Sequence, residues 1–403
     1  MLRGISRHKS KNIEFYMRIL NVNATHGRQS GGGNAERTLQ MSRFLARQDG
    51  VLCTVLTLDL EIDAERIQAH VPAKVIVIPC LYKRFYIPRG GWKTIQKAVA
   101  ESDLIHLMGH WTLLNIIAYI AARRSEKPYV VCPAGALSIF GRSVIIKWIY
   151  NIIVGKRIIR KASICIAVTD AEISNFEKYG VQSSQVKVIP NGVTIEDFPP
   201  TPKLPFLKRF NIPDAPYILF VGRLNPIKGP DLLLEAFTQA RIKFPQFHLV
   251  FAGPDGGLLS ELTQSVRQSG ISEYVHFLGH IDGPNKSAAY QHAALLVVPS
   301  RQEAMSIVAL EAGICGTPVM LTDQCGFSEI RTVDESLEVP ATSEAIANGL
   351  IRLLTEPGLL KRVAPAFQNF VSRKFTWDSI VVQYIKIYDT ILRPGTNPSS
   401  KRI

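Results

Sequence analysis

The strongest constraint on the fold is a series of short apolar segments that alternates with helix-like segments, stops at a proline-rich stretch and then starts again. Near-continuous apolar strands separated by helices are typical of parallel sheets covered on both faces. Because the pattern occurs twice, we predict two doubly wound α/β domains in tandem. In the first, the predicted strands are 17–23, 51–59, 74–80, 103–108, 129–135, 163–169 and 186–190, and the predicted helices include 34–48, 112–124, 144–160 and 171–179.

The second half repeats the pattern, and a chain of 403 residues is too long for one compact core. Its predicted strands are 217–222, 248–253, 275–279, 294–300 and 318–322, its predicted helices are 230–243, 257–269, 284–292 and 304–314, and 343–392 is predicted to be helical. In such sheets ligands bind beyond the carboxyl ends of the strands, so we expect a site in the cleft between the domains. The predicted segments are a basic extension (1–16), a first domain (17–196), a linker (197–216), a second domain (217–376) and a C-terminal helix crossing back to the first domain, with a tail (377–403).

Charge separates the two halves. The net charge is +14, and residues 1–196 hold 27 Lys and Arg against 14 Asp and Glu, whereas the remainder holds 20 against 19. The first half is therefore expected to face something anionic, such as a membrane surface, a phosphate-bearing substrate or nucleic acid. The apolar stretch 104–122 contains two His and a break at Gly109, which favours a buried strand and helix over a membrane span. Six scattered Cys indicate reduced thiols in a cytosolic protein and no zinc site.

Two loops combine the features of an anion site. A glycine run, 31–33, follows the first strand and opens a helix, so its free N–H groups and the helix dipole would favour an anion; a plain flexible loop is the alternative. In "VGRLNPIKG", Arg223 lies just past a strand end and Lys228 lies in the turn before a helix. Two cations in one strand-to-helix loop can bind a diphosphate, although a lone Lys is more often solvated.

Two acids and two histidines are further candidates. In "SRQEAMSIVALEAG", Glu303 and Glu311 are separated by seven residues, so on one helix their carboxylates would share a face among apolar neighbours. His106 and His110 lie at a predicted strand end, where an imidazole could bind a sugar hydroxyl or transfer a proton. We favour His110 because it lies in the loop.

Taken together, "GGGNAE", "IPNGV", "VGRLNPIKG", "FLGHI", "PSRQEAMSIVALEAGICGTPV" and "GFSEI" resemble glycosyltransferase family 4 from about residue 17 to 392. The resemblance implies the GT-B fold, with two Rossmann-like domains facing a central cleft. It also implies a retaining transferase that uses a nucleotide-diphosphate sugar as co-substrate, without a metal or another cofactor. The acceptor would be a glycan, a polysaccharide precursor or a lipid-linked glycan.

The resemblance also assigns roles to residues. Glu303 would contact the donor sugar and Glu311 the ribose hydroxyls, while Arg223 and Lys228 would stabilise the leaving diphosphate. Gly32 and Gly33 would cap the donor phosphates from the first domain. The implied catalytic set is Arg223, Lys228, Glu303 and His110, and the implied donor-binding set adds Gly32, Gly33, Gly253, His280, Ile281, Met305, Ser306, Ile307 and Glu311.

The chain departs from the family pattern in two places. Ala304, Met305 and Ser306 stand where the family often has Gly-Phe-Gly, so side chains would narrow the sugar pocket. Met108 stands at the second His of the family's His-x-His-Gly, so either His110 takes that role or no His does.

The segment 141–163 alternates apolar runs with Lys and Arg and holds no acid. It suits either an interfacial helix on an anionic membrane or an ordinary amphipathic helix. We therefore expect a cytoplasmic protein that can be peripheral at the inner face of the membrane. The alternatives are a nucleotide-sugar epimerase of the same fold, for which the first domain offers no convincing acidic pair, a basic nucleic-acid binder without a recognised motif, and an inactive scaffold.

Overall fold

A computed structural model describes residues 16–27, 32–139 and 143–394. Most of the expected basic extension therefore lies outside the described residues, as does Gly31 of the glycine run. The two predicted sheets are both present, and each is made of parallel strands with flanking helices. The predicted α/β class with two doubly wound sheets is confirmed.

The first domain is built on a seven-stranded sheet in the order β3-β2-β1-β6-β7-β8-β9. Its central strands are buried along their whole length, as expected for a sheet covered on both faces. The elements are β1 (Met17–Val22), α1 (Gly32–Ala46), β2 (Val51–Leu58), α2 (Ala64–Gln68), β3 (Lys74–Ile78), β4 (Cys80–Tyr82), β5 (Ile87–Pro88), α3 (Trp92–Ala100), β6 (Leu104–Met108), α4 (Leu113–Arg124), β7 (Tyr129–Cys132), α5 (Val144–Tyr150), α6 (Lys156–Arg160), β8 (Ile164–Ala167), α7 (Ile173–Lys178) and β9 (Val186–Val188).

The second domain has a six-stranded sheet in the order β12-β11-β10-β13-β14-β15. The segment 343–392, predicted to be helical, forms three consecutive helices after β15. The elements are α8 (Lys203–Arg209), β10 (Tyr217–Val221), α9 (Pro230–Ala240), β11 (His248–Ala252), α10 (Leu259–Gln268), β12 (Val275–Gly279), α11 (Gly283–Gln291), β13 (Leu295–Val298), α12 (Ile307–Ile314), β14 (Val319–Thr322), β15 (Glu338–Val339), α13 (Ser343–Thr355), α14 (Leu359–Lys374) and α15 (Trp377–Leu392).

The strand order places the two candidate anion-binding loops at equivalent positions in the two domains. In each sheet the order reverses beside the first strand of the domain, between β1 and β6 and between β10 and β13. Loops at such a switch point splay apart and leave a crevice for a ligand. The glycine run follows β1, and the loop with Arg223 and Lys228 follows β10. Each domain therefore has one candidate anion site at its own crevice.

The proline-rich segment 197–216 is more ordered than the predicted linker. It contains α8, whose Phe206 and Leu207 are buried, and Thr201 N donates to Gln291 Oε1 of the second domain at 2.9 Å. Burial of two large apolar side chains stabilises this segment against the second domain. The sequence also missed the β4–β5 hairpin, α2, α3 and β15, which are short or exposed.

The last helix, α15, packs on the first domain. Tyr384 OH accepts a hydrogen bond from Arg37 Nη2 at 2.5 Å, and Tyr388 OH bonds His106 Nδ1 at 2.6 Å. At the start of the helix, the ring of Trp377 stacks near Phe44, with centroids 6.4 Å apart. The chain therefore crosses back from the second domain to the first through α15.

Candidate functional site

The loop between β10 and α9 turns one of its two cations toward a carboxylate. Lys228 N donates to Asn225 Oδ1 at 3.0 Å, which fixes the turn, and Lys228 Nζ forms an ion pair with Glu303 Oε1. The same carboxylate oxygen accepts from Ser300 Oγ at 2.9 Å. Arg223 lies earlier in the loop and is more exposed. The loop therefore places two cations at the strand end: Lys228, which is partly buried, and Arg223, which is exposed.

Glu303 does not lie on a helix. The helix predicted at 304–314 begins only at Ile307, because Ser306 has extended backbone angles (φ −73°, ψ 107°). Glu303 is instead held in the preceding loop by a bond from its N–H to Gln324 O at 2.9 Å. The prediction that the two carboxylates share one helix face is therefore wrong, although each side chain is only 7% exposed.

Glu311 lies on α12 and is bound by two residues that the sequence reasoning missed. Its Oε1 pairs with Lys286 Nζ at 2.7 Å, and its Oε2 accepts from Tyr290 OH at 2.6 Å. Burial would lower the pKa of Lys286, but Glu311 and other nearby carboxylates raise it above the ordinary value. Lys286 and Tyr290 are four residues apart on α11, so helical spacing could have placed both on one face.

Arg223, Lys228, Lys286 and Glu303 line a cavity of about 310 Å³ between the domains. That volume lies at the lower end of the range for small-molecule sites, roughly 300–1,000 Å³. Its walls are mostly apolar or backbone, with a few charged groups directed inward. The cavity is lined by Gly32, Gly33, Val221, Gly222, Arg223, Lys228, Ala252, Gly253, Pro254, His280, Ile281, Lys286, Glu303, Met305, Ile307 and Val308.

Most of the predicted donor-binding residues therefore lie together. Gly253 permits the close approach of two strand-end loops, since a side chain there would overlap the carbonyl oxygen of Gly222. Ser306 is buried beside the cavity without lining it, and its Oγ has no hydrogen-bond partner among the described residues. Glu311 lines an adjoining cavity of about 350 Å³, which shares His280 and Lys286 with the first.

His110 is not brought to this cavity. Its ring is buried, with Nε2 bonded to Asn151 Oδ1 at 3.1 Å, and burial lowers its pKa to about 4. It lines none of the three cavities in the described cleft. We therefore withdraw His110 from the catalytic set. Met108 and His106 are buried as well, and His106 binds Tyr388 on α15.

A third cavity, of about 390 Å³, lies on the other side of Glu303 and was not anticipated. Its first-domain wall includes Glu172, whose carboxylate accepts from Val168 N at 2.7 Å and from Gly135 N. Burial raises the pKa of Glu172. The remaining lining residues are small or polar: Ala134, Ala136, Ser138, Thr169, Ala171, Asn175, Gln302, Ala304 and Gly326.

Asn191 joins the two domains at the site. Its Nδ2 donates to Met305 O at 3.1 Å, and its Oδ1 accepts from Arg37 Nη1. Arg37 is almost fully buried and also donates to Ile189 O at 2.8 Å. The backbone beside Glu303 is therefore positioned partly by the first domain. The motif "IPNGV" contains Asn191, but its spacing alone does not indicate this contact.

The basic segment near the cleft exposes a row of large apolar side chains. Ile145 is 74% exposed and Trp148 is 59% exposed, although both belong to α5. Further exposed residues are Ile139, Val144, Ile146, Ile149, Ile152 and Ile153, and the neighbouring Lys156, Arg157, Arg160 and Lys161 are exposed too. Among the described helices none combines the length and apolar character needed to cross a bilayer.

Within the described ranges, His, Cys, Asp and Glu side chains form no group of three that could hold a metal ion. The charges that line the main cavity belong instead to Arg223, Lys228 and Lys286 and to the carboxylate of Glu303, which is paired with Lys228. Metal independence stays a prediction.

Two family models match the chain in sequence. The model described as "Glycosyltransferase Family 4" matches residues 31–197, and the one described as "Glycosyl transferases group 1" matches residues 206–369. Together they span most of the chain, and each falls on one of the two domains. The boundary between them lies in the proline-rich segment.

Curated glycosyltransferases are similar to the chain in sequence, and a solved structure is similar to it in fold. A D-inositol 3-phosphate glycosyltransferase of Salinispora arenicola (strain CNS-205) is 26% identical over 404 residues, covering 90% of this chain and 88% of its own. Another, of Streptomyces bingchenggensis (strain BCW-1), is 29% identical over 308 residues, covering 72% and 67%. The crystal structure of Anabaena Alr3699/HepE in complex with UDP-glucose has a TM-score of 0.75 at 21% identity, covering 93% and 100%, and shows a common fold.

Proposed function

The chain belongs to the group 1 glycosyltransferases, and on that premise we propose that it transfers a sugar, with retention, from a nucleotide-diphosphate sugar to a hydroxyl of a glycan. The observation that carries the proposal is the interdomain cavity lined by Arg223, Lys228 and Glu303, with Glu311 in the adjoining cavity. Two cations suit a diphosphate, and two carboxylates suit sugar hydroxyls. A solved protein of the same fold binds UDP-glucose, which supports this donor class.

The positions of the charged side chains support one orientation of the nucleotide sugar in the cleft. Arg223 and Lys228 lie at the strand end of β10, close to Gly32 and Gly33 of the first domain, so the diphosphate would bind there. The sugar would then reach Glu303, and the ribose would reach Glu311. In the structure Lys228 pairs with Glu303, and a diphosphate would compete for that cation.

The proposed step needs no protein base. The bond between the sugar carbon C1 and the diphosphate oxygen breaks, and negative charge grows on the leaving diphosphate beside Lys228 and Arg223. The acceptor oxygen then bonds C1 on the same face, and its proton passes to an oxygen of the leaving phosphate. The burial of His110 in a separate cluster agrees with this route.

The third cavity is the natural place for the acceptor. It adjoins Glu303, so an acceptor there would meet the donor sugar. Ser138, Thr169, Asn175 and Gln302 offer hydroxyl and amide groups, which suit a hydroxyl-rich glycan.

We further propose that the segment 144–153, with its exposed apolar side chains, rests on an anionic membrane and brings the enzyme to lipid-linked acceptors. Large apolar side chains would enter the interface, and the adjacent Lys and Arg would attract acidic headgroups. Basic charge alone would suit an acidic protein as well as acidic lipid, but the exposed apolar side chains, mostly Ile, favour a lipid surface into which they can insert. The enzyme would then be peripheral.

Glu311→Gln tests the donor assignment. We expect the nucleoside diphosphate that stabilises the wild type most to bind at least tenfold more weakly, because hydroxyls donate to a carboxylate more strongly than to an amide. The measurement is isothermal titration preceded by a thermal-shift panel of nucleoside diphosphates and nucleotide sugars, with and without EDTA.

The matched control is Glu261→Gln, a change to an exposed carboxylate on α10. It should bind the same nucleotide as tightly as the wild type. If no nucleotide shifts the wild type, the proposed donor class is wrong, and if Glu311→Gln binds normally, the ribose assignment is wrong.

A triple variant tests the membrane proposal. Ile145→Ser, Trp148→Ser and Ile152→Ser together should reduce sedimentation with vesicles of phosphatidylcholine and phosphatidylglycerol (7:3) by tenfold or more. Each buried apolar side chain contributes about 1.5–3 kcal/mol to transfer from water, so three losses are enough.

The control triple changes equally exposed apolar residues elsewhere: Leu204→Ser, Ile242→Ser and Val382→Ser. It should bind vesicles like the wild type. Equal binding by both triples would refute docking through this segment.

A further inference from the structure

The exposed segment 144–153 contains the start of an irregular helical turn, whose buried side contacts residues near the site. Between α5 and α6, residues Asn151–Gly155 form a π-helical turn. Such turns are rare and occur frequently at functional sites. Here the turn buries Asn151 while Ile152 and Ile153 stay exposed. One short stretch therefore offers apolar side chains to the surface and an amide to the interior.

The buried amide belongs to a cluster that we call the His110 junction: His110, Trp111, Tyr150, Asn151 and Tyr179. Asn151 Nδ2 donates to Tyr179 OH at 2.7 Å, so its Oδ1 is the acceptor for His110 Nε2. Tyr150 OH donates to His110 O at 2.5 Å. Two adjacent residues at the start of the π-helical turn are thereby fixed to the loop that follows β6.

The junction also holds the loop after β7. Tyr179 OH donates to Leu137 O at 2.9 Å, and Trp111 Nε1 donates to Ala136 O at 2.5 Å. The same loop lines the third cavity through Ala134, Gly135, Ala136 and Ser138, opposite Glu303. The contacts therefore run from the exposed helix to one wall of the site in two hydrogen-bonded steps.

Gly155 is needed for this packing. A side chain there would lie 2.7 Å from the ring of Tyr150 and closer still to Asn151 Oδ1. Any larger residue must displace one of the two junction members on the helix. A substitution at Gly155 would therefore disturb the junction without changing any residue that lines the three cavities.

We propose that docking on an anionic lipid surface fixes the 133–138 wall of the site through the His110 junction, which makes His110 and Asn151 positioning residues. The inference rests on the proposed membrane docking. It gives His110 a role other than proton transfer, and it makes the rate depend on the surface as well as on the donor. The bonds to Leu137 O and Ala136 O are the contacts through which the docked helix would restrict motion of this loop.

Hydrogen exchange of the full chain tests the inference, with and without 7:3 phosphatidylcholine–phosphatidylglycerol vesicles. In the wild type the vesicles should slow exchange at 144–153 and, by threefold or more, at 133–138. His110→Leu should keep the slowing at 144–153 and lose it at 133–138. His110→Gln, which retains an N–H donor toward Asn151, should restore it, and Gly155→Ala provides a second disruption should His110→Leu fail to fold.

Each outcome decides the matter. Slowing confined to 144–153 in the wild type, or slowing at 133–138 that persists in His110→Leu and Gly155→Ala, overturns the inference. If the vesicles slow exchange at neither segment in the wild type, both the proposed membrane docking and this inference are wrong. UDP added to parallel samples reports separately on the transferase proposal, through slower exchange at 222–229.

Discussion

Lys228→Ala is expected to lower kcat for sugar transfer by about 10²- to 10³-fold, the usual loss when one fixed charge-stabilising group is removed from an active site. Lys228 Nζ lies at the cavity wall and pairs with Glu303, whose side chain is buried. Its charge opposes the charge that grows on the diphosphate as the sugar leaves. The measurement is nucleoside diphosphate release with the nucleotide sugar that gives the largest thermal shift.

The loss should fall mainly on kcat, because the leaving diphosphate carries more negative charge than the intact donor. Affinity for the free nucleoside diphosphate should therefore drop more than affinity for the nucleotide sugar. Lys361→Ala, on the exposed face of α14, is the matched control and should leave both unchanged. A kcat for Lys228→Ala within threefold of the wild type would remove Lys228 from the chemistry.

The positions of Arg223 and Lys228 could be predicted because they depend on local pattern alone. Apolar strands and helix-like segments fix a parallel sheet, and a parallel sheet fixes which strand ends face the cleft. The same reasoning located Gly32 and Gly33, whereas Gly253 was implied by the family resemblance. Those residues act largely through the backbone, which the chain path determines.

Glu303 and His110 show where such reasoning fails. The residues after Glu303 are good helix formers, but Glu303 N pairs with Gln324 O, and the helix starts later. For His110, a loop position suggested access to substrate, but Tyr150, Asn151 and Tyr179 cover the ring. Both outcomes depend on residues distant in sequence, and local periodicity carries no signal for them.

Arg37 is the clearest case of a residue that sequence reasoning could not place. It lies on α1, among polar residues typical of an exposed face, yet it is 1% exposed. Its partners are Ile189 O and Asn191 Oδ1, beyond the end of β9, and Tyr384 OH on α15. It therefore joins α1, which begins in the glycine run, to Asn191 and to α15.

Arg37→Met is expected to destabilise the protein by about 3 kcal/mol, the second large effect. Methionine fills much of the volume but leaves three buried acceptors without a donor, and each such loss costs about 1–3 kcal/mol, offset partly by removal of a buried cation. The measurement is urea unfolding followed by tryptophan fluorescence, since Trp377 begins α15 and is buried.

Arg47→Met, just beyond the end of the same helix, is the matched control. Arg47 pairs with Glu196 at 3.0 Å on an exposed surface, so its loss should cost no more than about 1 kcal/mol. Equal stability of the two variants would show that Arg37 does not hold the domains together. If Arg37→Met is destabilised as expected, weaker nucleotide binding by the folded variant would follow as well, because Asn191 would lose the partner that orients it toward Met305 O.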